Sequence, residues 1–195
     1  MALWRTDTAS TLDSATPESM AGWENGTMTS ESRTRARHER LRRRYTSLGM
    51  GELTATAVFA IIAASGMLPV TRTWTGALSL WSALLPLLVI LVQAGVYWLL
   101  ARGWAGRGRM PRRIAATYRC FRLLDPLLLM AGLAGVIAWF PREAGAVLVI
   151  AAWLFGVVEY LNYFVVRLSY PLHRWPSLVG RWRTPRLVQD VRTAE

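Results

Sequence analysis

Glu159-Tyr160-Leu161-Asn162-Tyr163-Phe164-Val165-Val166-Arg167-Leu168-Ser169-Tyr170 sets a carboxylate, an amide, three tyrosines and an arginine into the back half of an otherwise apolar run. Hydrocarbon is a costly neighbour for such groups, so a segment of this kind turns its polar stripe toward other helices. Those helices are visible upstream. Leu53 to Val70 and Ala77 to Ala101 are almost uninterrupted apolar, and Leu123 to Phe140 and Ala144 to Val166 follow. Each approaches or exceeds the ~20 residues that cross ~30 Å of hydrocarbon at ~1.5 Å per residue. The expected fold is an all-α membrane protein, a four-helix transmembrane bundle with spans 53–70, 77–101, 123–140 and 144–166.

The connections Thr71 to Gly76 and Pro141 to Glu143 are short enough to make each pair a helical hairpin. Arginine placement then gives the orientation. Of 23 basic residues, all arginine, only Arg72 and Arg142 fall in these short loops; 21 lie in the N-terminal region, the loop 102–122 and the C-terminal region. The positive-inside rule puts both termini and the central loop in the cytoplasm, so the protein is expected to be multi-pass in the plasma membrane. Trp74, Trp81, Trp139 and Phe140 would mark the outer boundary, and Tyr97, Trp98, Trp104, Tyr118, Tyr170 and Trp175 the inner one.

Composition narrows the function classes. With 53% hydrophobic and 18% charged residues, the chain is too apolar for an average soluble domain. The net charge of +11 would suit nucleic acid, but its clustering beside the spans points to anionic lipid headgroups instead. One cysteine, Cys120, excludes an internal disulfide framework, and two histidines are too few for a His-rich metal site. The motifs G-x-S-x-G and H-E-x-x-H and a phosphate loop are absent, so neither enzyme chemistry, a metal nor a cofactor is expected. Cys120 beside Arg119 and Arg122 could hold a reactive thiol, with a bystander at the membrane surface as the alternative.

Residues 1–31, rich in Ser, Thr, Ala and Gly, read as a disordered cytoplasmic tail with no signal-peptide core. Residues 32–51 form a basic juxtamembrane segment, 52–168 the transmembrane domain and 169–195 a basic cytoplasmic tail. Arg40, Arg42, Arg43 and Arg44, together with Arg112, Arg113, Arg119 and Arg122, are candidate anionic-lipid contacts; positive-inside placement alone also accounts for them. In the central loop, Ile114, Tyr118 and Phe121 recur at helical spacing beside arginines, as in an interfacial helix. Asp125-Pro126 would then cap and start the third span; one continuous helix kinked at Pro126 is the competing reading. Ala131-x-x-x-Gly135 and Ala152-x-x-x-Gly156 are small-residue pairs expected to face each other across the second hairpin, or else a second copy.

Helical spacing places Glu159 and Tyr163 on one stripe, with Asn162 at its side, about 12 Å above the end at Arg167. Gln93 and Tyr97, at similar depth in the second span, are the expected partners of Glu159. The candidate intramembrane polar cluster is therefore Glu159, Asn162, Tyr163, Gln93 and Tyr97. Such a carboxyl either ties helices together or binds a proton or cation during transport. The first role makes a non-enzymatic protein acting by association with lipid, itself or another membrane protein; the second makes a small oligomeric carrier or channel coupled through Glu159.

The run Glu159-Tyr160-Leu161-Asn162-Tyr163-Phe164, followed by Leu168-Ser169-Tyr170 and a basic tail, resembles the E-Y-I-N-Y-aromatic signature of an uncharacterised family of small bacterial four-span integral membrane proteins. The chain departs from that pattern at Leu161, Arg167 and Pro171, where the family pattern has isoleucine, glutamine and aspartate. The resemblance implies the same four-span layout with a cytoplasmic C-terminus, and it implies no activity.

Overall fold

A computed structural model of the chain describes residues 17–104, 108–141, 145–166 and 184–194, with side chains from Ser32 onward. The described residues are helical or in turns, and four of the helices are long and apolar enough to cross a membrane. These are α1 (Pro17–Ala64), α2 (Trp74–Trp104), α3 (Arg112–Ala138) and α4 (Gly145–Tyr160), which continues as a π-helical turn over Leu161–Val165. A short helix, α5 (Arg186–Thr193), follows near the C-terminus.

The chain separates into two units, residues 1–40 and 41–195. In the first, the backbone is helical from Pro17, inside the segment whose composition predicts a disordered tail, and side chains from Ser32 to Arg40 are exposed except for half-buried His38. The second contains the packed helices.

Within that second unit, α2 is the most buried of the long helices, because its small residues let α3 and α4 approach, while Leu85, Val89, Val92, Val96 and Leu100 leave one stripe of it exposed. A Cβ on Gly132 of α3 would lie 2.6 Å from the Ser82 carbonyl oxygen of α2, so only glycine permits this approach. Gly135 likewise abuts Ser82, and Gly156 of α4 packs against Leu87 of α2 and Leu129 of α3. The glycines of the two small-residue pairs therefore both reach α2, while Ala131 is exposed, a correction to the expected α3–α4 face.

Residues 112–138 form one continuous helix rather than an interfacial helix plus a span, and Asp125 is not a cap. Pro126 lacks the N–H that would bond the Arg122 carbonyl. The Tyr160 hydroxyl supplies the missing donor at 3.2 Å, which is how proline is accommodated without breaking the helix. The Trp153 indole donates in the same manner to the Leu129 carbonyl at 2.9 Å. Heptad-like positions Ala115, Tyr118, Asp125, Leu129, Gly132 and Val136 then form the buried stripe of α3.

α1 meets α2 at Gly49 and Gly95, where a Cβ on either glycine would come within 2.9 Å of a leucine on the other helix. It ends at Ala64, with Gly66 at φ 69°, short of the expected end of the first span at Val70. The end of the molecule rich in arginine holds an aromatic chain running Tyr45, Trp98, Tyr97, Tyr118, Phe121, with successive ring centroids 5.1–5.7 Å apart. Tyr97 and Tyr118 are buried core residues here, not members of the expected inner aromatic belt. At the opposite end Trp74, Trp139 and Phe140 are exposed.

α5 corrects a third expectation. Residues 186–193, placed in a basic tail, instead form an amphipathic helix that buries Leu187, Val188 and Val191. Asp190 accepts hydrogen bonds from the Tyr97 hydroxyl at 2.8 Å and the Trp104 indole at 3.1 Å, anchoring α5 to α2.

Candidate functional site: an acid-lined cavity at the arginine-rich end

The π-helical turn is the local feature that builds the site. The Val166 N–H donates to the Leu161 carbonyl at 2.7 Å, a bond across five residues that rotates the side chains beyond Tyr160 relative to a regular α-helix. Such turns recur at functional sites. Here the turn directs the buried Tyr163 hydroxyl onto Glu52 of α1, to which it donates at 2.5 Å. Asn162 hydrogen-bonds Glu159, and Glu52 and Glu159 lie within electrostatic range of each other.

These residues border a cavity of about 340 Å³. Glu52, Glu159, Asn162 and Tyr163 contribute the polar wall, Tyr45, Tyr97 and Trp98 the aromatic one, and Arg44 and Arg186 line it as well. The guanidinium of Arg186 sits over the Tyr45 ring, 5.3 Å from its centroid. A space with two carboxyls, two guanidiniums and four aromatic rings can bind a small solute bearing both charges, or pass protons between carboxyls through a shared hydrogen-bonded ligand.

Four of the five residues of the expected cluster meet here: Glu159, Asn162, Tyr163 and Tyr97. Gln93 does not. It is buried against α3, where its amide donates to Asp125 Oδ1 at 2.9 Å and its backbone carbonyl accepts from the Tyr118 hydroxyl at 2.9 Å. The expected Gln93–Glu159 pair is therefore replaced by Gln93–Asp125. The reason is packing: Gln93 faces α3 and its side chain ends at Asp125, whereas Tyr97, one turn on, reaches the cavity. Asp125 is 1% exposed, and its Oδ2, like the Gln93 Oε1, has no hydrogen-bond partner among the described residues.

The eight candidate lipid-contact arginines are all exposed. Arg44 also lines the acidic cavity, and Arg119 and Arg122 line a second cleft. Cys120 is exposed. The rest of the signature, from Arg167 through Pro171, lies outside the described residues, as do Tyr170 and Trp175.

Sequence reasoning missed Glu52, Asp125, Arg186 and Asp190. Asp125 had a usable signal, since it lies seven residues from Tyr118 and from Gly132 on the stripe that becomes the core face of α3. Glu52 follows Gly49 by one turn, but its closeness to Glu159 depends on how α1 is set against α4, which no local pattern states. The chain matches no family model, no curated protein and no solved structure.

Proposed function

We propose that the protein is a small multi-pass carrier of the plasma membrane that takes up a small polar solute, with a cationic group held between Glu52 and Glu159. The observation that carries this reading is that two carboxyls from different apolar helices border one cavity beside a π-helical turn. An acid that merely ties helices together has its partner at hand and no space beside it, as Asp125 has with Gln93. Several intramembrane polar groups near irregular backbone are the usual setting of a translocation site. Because Arg44 and Arg186 line the same cavity, its charges balance and suit a zwitterion better than a bare cation.

The proposed orientation has two helical hairpins with both termini cytoplasmic, supported by 21 of 23 arginines outside the two short loops. The cavity then opens toward the cytoplasm. Thiol labelling of Arg72→Cys from outside, with no external labelling at Arg109→Cys, tests this; the reverse pattern refutes it.

For the carrier itself, the purified protein is reconstituted into liposomes loaded with a pH dye and challenged with pooled small zwitterions. Solute-dependent proton movement is expected in the parent and is lost in Glu159→Gln, with the variant still eluting as a folded species. Absence of movement in the parent, with misassembly of Glu159→Gln, would return Glu159 to a purely structural role.

A further inference from the structure

A second cleft of about 430 Å³ lies where α3, the end of α4 and α5 meet. Arg119 and Arg122, three residues apart and so on one face of α3, line it together with Arg192 in the last turn of α5. Its apolar wall includes Phe164, Val188 and Val191. No carboxylate is among the described residues that border it. We infer that this cleft is a discrete site for one anionic phospholipid, with the phosphate between the three guanidiniums and the start of an acyl chain along Phe164, Val188 and Val191.

Three features separate this from the general attraction of basic loops for an anionic leaflet. The arginines come from two elements far apart in sequence, so the site exists only when α5 is docked. Guanidinium is the side chain best matched to phosphate oxygens, since its planar fork donates two parallel hydrogen bonds. The apolar wall continues the charged rim at the arginine-rich end of helices that are long enough to span a bilayer. A free inorganic anion would have no use for that wall; a lipid uses both parts.

The test uses the full chain purified in neutral detergent and analysed by native mass spectrometry with added phosphatidylglycerol or phosphatidylcholine. The parent is expected to retain one phosphatidylglycerol at least tenfold more than phosphatidylcholine. Arg119→Gln/Arg122→Gln/Arg192→Gln should lose that preference, while Arg40→Gln/Arg42→Gln/Arg43→Gln, which removes the same charge from α1, should keep it. Equal loss in the two triple variants would overturn the inference in favour of delocalised attraction. Displacement of the lipid by millimolar inorganic phosphate would overturn it as well, since the site would then be an anion site without an acyl component. Melting in phosphatidylcholine is measured alongside. If the first variant is unfolded there, Arg192→Gln alone decides: an undiminished preference overturns the site, and at least a threefold loss supports it.

Discussion

Asp125 and Glu159 both sit inside apolar helices of this protein, and they are treated in opposite ways. Asp125 is sealed at the α2–α3 contact, where Gly132 and Gly135 bring backbones together and Gln93 donates to its carboxyl. Glu159 faces a cavity that it shares with Glu52, beside a stretch of helix wound with a π turn. The same chemistry thus serves cohesion in one place and access in the other. What separates them is their surroundings: Gln93 and the α2–α3 contact close in on Asp125, whereas a cavity lined by Tyr45, Tyr97 and Trp98 lies beside Glu159.

The comparison can be broken most forcefully at its tight side. Gly132→Leu forces a side chain into the Ser82 carbonyl and Pro86, and overpacking of that kind costs ~1–3 kcal/mol or more. Loss of the folded species on gel filtration, or a large drop in its unfolding midpoint, is the expected result. Next in size, Asp125→Ala leaves the buried Gln93 amide unpaired, a cost of ~1–3 kcal/mol, whereas Asp125→Asn keeps an acceptor oxygen and should lose less. A denaturant titration of both variants distinguishes them; equal losses would mean that the hydrogen bond contributes little.

Tyr160→Phe removes the donor to the carbonyl that Pro126 leaves open, and a loss of ~0.5–1.5 kcal/mol is expected by the same titration. The smallest stability effect belongs to the open side. Glu159→Gln preserves size and hydrogen-bonding capacity at a residue that is only half buried, so its unfolding midpoint should stay within ~0.5 kcal/mol of the parent. Its effect is expected in solute-driven proton movement instead.

Much of this arrangement is legible from residues. The four long helices follow from apolar length alone, and the polar stripe of α4 from spacing of 3.6. Glu159, Asn162, Tyr163 and Tyr97 border one cavity, and sequence proximity and matched depth group the same four. Gln93 lies at the same depth but meets Asp125 instead, because depth says nothing about which neighbour a buried face meets. Asp125-Pro126 carries a local helix-start pattern that tertiary packing overrode, since Tyr160 satisfies the carbonyl and Gln93 donates to one oxygen of the carboxyl. The docking of α5 was invisible for another reason: in eight residues with two arginines, composition speaks of solvent while the spacing of Leu187, Val188 and Val191 speaks of a buried face.

The central claim is that Glu159 borders an accessible cavity and Asp125 does not. In a Cys120→Ser background reconstituted in liposomes, Glu159→Cys and Asp125→Cys are exposed to a charged, membrane-impermeant maleimide from the arginine-rich side. The account predicts that position 159 is labelled in the folded protein and position 125 only after unfolding. Protection of position 159, or comparable labelling of both, would contradict it.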